Sequence, residues 1–202
     1  MFGEEYYMSK KIYYSMIGSR ETPQEILNLM TKFATKACAF DYCGRSGGAD
    51  GADSCLEQGV QSYLVLNELP DSYAARYMEI YLPWKDFNKR DSKGAGYYTL
   101  PSLDKKNTAE IIASDIHPAW DRCSQGAKKL HTRNVFQCLG QDLSTPSRFI
   151  ICWAKPKYQD RHTEECQGGT GTAVKLGINH GVEIINLYWE DQLKRVQDWV
   201  NK

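Results

Sequence analysis

The sequence has no excess of charge of either sign: 25 Lys and Arg are matched by 25 Asp and Glu. A protein that coats nucleic acid by bulk charge carries a basic surplus, so this balance disfavours that class while leaving room for a local patch. Long hydrophobic runs are also missing. The strongest apolar stretch, residues 149–154, has the length of a strand and falls far short of the roughly 18 residues of a membrane helix. The opening MFGEEYYMSKK lacks the basic flank and apolar core of a secretory signal. A cytoplasmic protein with no membrane partner is expected. The 7 cysteines form no C-x-x-C pair, so they are read as small buried hydrophobes, Cys152 above all. His162 and Cys166 have a ligand-like separation, but no second pair completes a zinc site. Neither a metal nor a cofactor is therefore expected. No Gly-Lys-Ser/Thr follows a glycine loop, which excludes a Walker A site, and Val174 stands where a G-x-G-x-x-G fingerprint needs its third glycine.

What is present is enough for one folded unit. The chain has 202 residues, 42% of them hydrophobic, with 13 Tyr, 6 Phe and 5 Trp. That supports a sizeable core without disulfides and argues against disorder. We read 1–202 as a single domain with an irregular insertion at about 62–103. Strand-like runs (11–17, 40–45, 78–82, 148–154, 182–187) alternate with helical ones (23–38, about 52–58, 104–115, 119–127, 129–142, 168–180, 190–200). Thr22 is expected to cap the first helix with Pro23 at its first position, and 89–98 is read as an exposed loop. His117-Pro118 and His180-Gly181 read as helix punctuation, and Trp84, Trp120 and Trp153 as core candidates. This alternation, with nearly continuous apolar strands, predicts an α/β fold: a Rossmann-like parallel sheet with helices on both faces. In such sheets ligands bind beyond the carboxyl ends of the strands.

Three loops fall at that edge: Gly18-Ser19-Arg20; Arg45 to Asp53, which holds Ser46-Gly47-Gly48-Ala49-Asp50-Gly51-Ala52-Asp53; and Lys155 to Thr172, which ends in Gly168-Gly169-Thr170-Gly171-Thr172. Glycines let the backbone approach a ligand, and a helix start offers free N–H groups to an anion. Each loop is also compatible with a plain tight turn. His131-Thr132-Arg133-Asn134 adds an arginine suited to phosphate, within a stretch (119–149) whose five Lys/Arg and two Asp make a local charge of +3. Asp50 suits a helix cap, and Asp53 either a cap or a ribose or base contact.

These residues, together with Pro146–Trp153 and 168–187, resemble the SLOG superfamily, and more narrowly its DprA-like proteins, including small phage-encoded versions. The resemblance spans about residues 11–188. It implies a Rossmann-like fold that binds nucleotides, nucleotide-derived signals or single-stranded DNA at the glycine-loop edge, and it makes a homo-oligomer the expectation by analogy. In the phosphoribohydrolase (LOG-like) branch, the signature P-G-G-x-G-T-x-x-E carries a catalytic Glu. Here Gln167 replaces the Pro and Lys175 the Glu, and an ammonium opposes the developing oxocarbenium charge. The leading expectation is a binding protein that does not cleave: phosphates on Gly18, Ser19, Ser46, Gly47, Gly48, Gly168, Gly169, Thr170, Gly171 and Thr172, charge from Arg20 and Arg133, further contacts from Asp50, Asp53 and Asn134. Sequestration of an immune signal for a phage would be one use. An N-glycosidase of nucleoside monophosphates, working through Arg133 and Asp53, and a DprA-like recombination mediator on single-stranded DNA are the alternatives.

Overall fold

The computed structural model describes residues 11–90 and 92–202; the acidic opening segment read above lies outside them. Six strands form one sheet: β1 (Tyr13–Gly18), β2 (Cys43–Ser46), β3 (Met78–Leu82), β4 (Tyr97–Thr99), β5 (Phe149–Trp153) and β6 (Glu183–Asn186). Their order is β4-β3-β2-β1-β5-β6, and each neighbouring pair is parallel. The chain builds outward from β1 on one side and then returns to add β5 on the other. The β1/β5 boundary is thus the topological switch point, where α/β sheets form their ligand crevice.

Among the described residues the α-helices are α1 (Gln24–Ala39), α2 (Ala52–Leu66), the single turn α3 (Ala74–Tyr77), α4 (Lys106–Ile116), α5 (Gln125–Leu139), α6 (Gly168–Asn179) and α7 (Glu190–Asn201). Successive strand residues point to opposite faces, and the core divides accordingly. Met16, Ile80, Leu82, Ile151 and Ile185 pack with α1, α2, α3 and α7. Ile17, Tyr81, Ile150, Cys152 and Ile184 pack with α4, α5 and α6. Because both faces are covered, both sets must be apolar, which is why the strands read as continuous hydrophobic runs. Cys152 is fully buried, as expected.

Four local expectations need correction. Thr22 does not cap α1: Pro23 holds that position, and the Thr22 hydroxyl instead donates to Ser19 O at 2.6 Å, closing the turn after β1. Helix α2 runs past residue 58 to Leu66 because Gly59 is a contact point with α1 rather than a breaker; a Cβ there would sit 2.4 Å from Ala34 Cβ. The segment 62–103 supplies β3 and the edge strand β4 to the sheet, so 89–98 is only partly a loop. Residues 119–142 hold one long helix, α5, preceded by a single 3-10 turn. Ser124 Oγ caps α5 by accepting from Ala127 N at 3.2 Å. The helix stops at Gly140, where φ is +77° and a side chain would strike the Arg45 guanidinium at 2.5 Å.

That guanidinium belongs to a buried network the sequence did not announce. Arg45 Nε donates to Glu79 at 2.8 Å, Arg45 Nη1 to Thr145 O at 2.6 Å, and the Tyr81 hydroxyl to the same Glu79 carboxylate at 2.6 Å. Every charge is matched, which is the condition for burying one. Of the three tryptophans read as core, Trp84, Trp120 and Trp153 are all only partly buried or exposed.

Candidate functional site

A cavity of about 380 Å³ opens at the carboxyl end of β1, between the loop that follows it, α5 and the start of α6. Its volume is at the lower end of the roughly 300–1,000 Å³ usual for small-ligand sites. One wall is a single face of α5: Ala127, Leu130, His131, Asn134 and Gln137 recur at spacings of three and four. The loop after β1 contributes Gly18, Ser19, Arg20 and Glu21, and the start of α6 contributes Gly168, Gly169 and Thr170. Asp53 and Arg133 line it as well.

The structure therefore gathers nine of the residues singled out above (Gly18, Ser19, Arg20, Asp53, Arg133, Asn134, Gly168, Gly169, Thr170) around one cavity. Ser46, Gly47, Gly48, Asp50, Gly171 and Thr172 are not among the lining residues. Four of them pack or bond locally. Ser46 Oγ donates to Met16 O at 2.8 Å, tying β2 to β1. A Cβ on Gly47 would lie 0.7 Å from Arg133 Nη1, and one on Gly48 would meet Leu82 and Arg90 below 3.0 Å. Gly171 lets α6 pass Cys166 O, which a Cβ would approach to 2.2 Å. Asp50 is exposed. Lys175, at the place of the catalytic Glu in the phosphoribohydrolase pattern, is exposed and is not a lining residue.

Arg133 is not a bare cation. Its Nη1 donates to Asp53 Oδ2 at 3.1 Å, and both side chains are only 7% exposed. Asp53 Oδ2 also accepts from Ala49 N at 3.3 Å. Gln137 joins them once its amide is oriented to suit its neighbours: the carbonyl then accepts from Gly47 N at 2.7 Å and Arg133 Nη1 at 3.3 Å, and the NH₂ donates to Asn134 Oδ1 at 2.8 Å. The Arg133 Nε–H is buried without a partner among the described residues. Of the basic residues in the +3 stretch, only Arg133 lines the cavity. Glu21 is paired with Lys155 at 2.9 Å. Arg20 makes no ion pair among the described residues and is the lining cation left with unspent charge.

The α6 end of the cavity differs in kind. Gly168, with φ +70°, and Gly169 would each meet nothing within 4 Å if given a Cβ. First-turn N–H groups have no partner inside their own helix, and no other backbone group takes those of Gly169 and Thr170 among the described residues. The result is a set of free donors at a positive dipole end. His131, quoted in the sequence but given no role, also lines the cavity. Burial, helped by His117 and Arg133, pushes its pKa down to about 4, so the ring is neutral at neutral pH. Gln137, Leu130 and Ala127 were missed; the helical spacing that puts them beside His131 and Asn134 was the available signal.

Fold and site together define a Rossmann-like α/β protein with a small cavity of mixed polar and apolar lining beside the carboxyl end of its β1 strand. No protein-family model matches the chain, and no curated protein matches it significantly.

Proposed function

We propose that this protein is a SLOG-type, DprA-like domain that binds one compact phosphorylated nucleotide, of nucleoside monophosphate or cyclic nucleotide size, without cleaving it. The observation that carries this reading is the uncrowded, donor-rich first turn of α6 sharing a cavity with the unpaired Arg20. The N–H groups of Gly169 and Thr170 and the Thr170 hydroxyl take the phosphate, and Arg20 supplies its counter-charge. Ser19 Oγ already accepts from Glu21 N at 3.1 Å, so its own proton is available to the ligand. Asn134 serves a ribose or base edge, and Ile17, Ala127 and Leu130 give the base an apolar wall. A volume near 380 Å³ suits such a ligand better than ADP-ribose or a run of single-stranded DNA.

The carboxylates support reading the site as one that binds without cleaving. Glycosidic cleavage needs a free carboxylate at the sugar. Asp53 is engaged by Arg133 and Ala49 N, and Glu21 by Lys155. Calorimetry against AMP, cyclic AMP and ADP-ribose tests the reading. Saturable binding of a mononucleotide is expected, weakened about tenfold or more by Arg20→Ala, with the ligand recovered intact by chromatography. Absence of binding across the panel, or release of free base, overturns it.

A further inference from the structure

Beside the cavity, three side chains converge that the nucleotide reading does not use. His117 terminates α4, Cys123 closes the 3-10 turn Trp120–Arg122, and His131 lies in the second turn of α5. One donor atom from each lies within 4.8 Å of those of the other two. The Cys123 Sγ to His117 Nδ1 distance is 3.7 Å, and the two imidazole centroids are 4.3 Å apart. Two ligands of a tetrahedral zinc, with Zn–S near 2.3 Å and Zn–N near 2.0–2.1 Å, stand about 3.6 Å from each other. The sulfur and nitrogen are thus already at ligand spacing.

The geometry points to a divalent metal site of His117, Cys123 and His131, with zinc as the ion its ligand set selects. The donors are chemically suited to it. A thiolate and two imidazoles are the borderline-soft set that zinc takes, and hard cations prefer oxygen. His117 Nδ1 accepts from Ala119 N at 3.2 Å, so that nitrogen carries an available lone pair; the metal would take it in place of the backbone N–H. The Cys123 thiol donates to Ala119 O at 3.6 Å, a long contact easily given up when the sulfur ionises. His131 Nδ1 is buried with no partner among the described residues, which is costly for a polar atom that has no further role. Three protein ligands leave the fourth tetrahedral position to water or to an oxygen of a ligand in the cavity, which His131 also lines. The spacing, His-x5-Cys-x7-His, contains no close ligand pair and so escapes a motif search.

The test uses the full chain, stripped by chelator and titrated with Co²⁺ alone, with no nucleotide present. The expected result is one equivalent of tetrahedral cobalt, seen as intense visible bands with a thiolate-to-metal charge-transfer band, all bleached by Zn²⁺. Cys123→Ser, at a half-exposed position, should abolish the charge-transfer band while leaving the circular dichroism of the chelated protein unchanged. His131→Gln should weaken cobalt binding at least about tenfold, the loss caused even by residues that merely orient a metal ligand. A wild-type protein that gives no saturable thiolate band, or a band that survives Cys123→Ser, overturns the proposal.

Discussion

The two glycine-rich loops look alike in the sequence, yet the leading glycine pair of each does the opposite thing in the structure. In the first, Gly47 and Gly48 are buried, and their missing side chains are filled by Arg133, Arg90 and Leu82. In the second, Gly168 and Gly169 face open space at the cavity. A glycine can be required because a neighbour occupies its Cβ position or because a ligand will. Composition does not separate the two cases; the packing around the Cβ does. The charges differ in the same way. Beneath the first loop lies the buried Asp53–Arg133 pair. Leading into the second, the ion pairs Lys157–Glu165 and Arg161–Glu164 are partly or largely exposed.

The largest expected effects therefore belong to the first loop. Gly47→Ala must expel the Arg133 guanidinium and strand Asp53, a cost of about 3–5 kcal/mol, read as a lowered midpoint in urea unfolding. Arg133→Ala should cost a similar amount, and adding Gly47→Ala to it should cost little more, since the clash is gone. If Gly47→Ala were neutral, the first loop would not be a packing element. An intermediate effect is expected at the second loop. Gly169→Ala should leave stability within about 1 kcal/mol, on the stabilising side if anything because Ala favours a helix. Its methyl group would project into the open space at the cavity, and the affinity for AMP measured by calorimetry should fall on the order of tenfold. A stability loss as large as that of Gly47→Ala would erase the distinction between the loops.

The smallest effect is a pH response. The Lys157 ammonium beside Glu165 holds its carboxyl below the usual range. Its stabilisation is present above the unfolded value of about 4.3 and is lost as pH falls through the lowered folded value. The pair is exposed, so salt should mask it. The protection factors of the Lys157 and Gln167 amides, whose N–H groups bond to Glu165 O and Lys155 O, should fall on acidification once the intrinsic pH dependence of exchange is divided out.

Much of this was legible in the sequence. The parallel α/β order followed from apolar strand runs alternating with helical periodicity, and Gly18, Arg20 and Gly168–Thr170 were placed at the right edge of the sheet by strand-end logic alone. His117 and His180 do terminate helices, as their neighbours Pro118 and Gly181 suggested. What stayed hidden depends on partners distant in the chain. Arg133 sits 80 residues from Asp53, so its neutralisation could not be read locally. The continuation of α2 past residue 58 was hidden because Gly59 packs on Ala34, which lies in another helix. The Arg45–Glu79–Tyr81 network and the His117–Cys123–His131 cluster are likewise made by folding rather than by spacing.

The central claim is that the second glycine loop, not the first, meets the ligand. An amide ¹H–¹⁵N map of the full chain titrated with AMP tests it most directly. The largest shifts are expected at Gly168, Gly169, Thr170 and the Ser19–Arg20 turn, with Gly47 and Gly48 nearly still. Shifts centred on Gly47 and Gly48, or none at Gly168–Thr170, would contradict it.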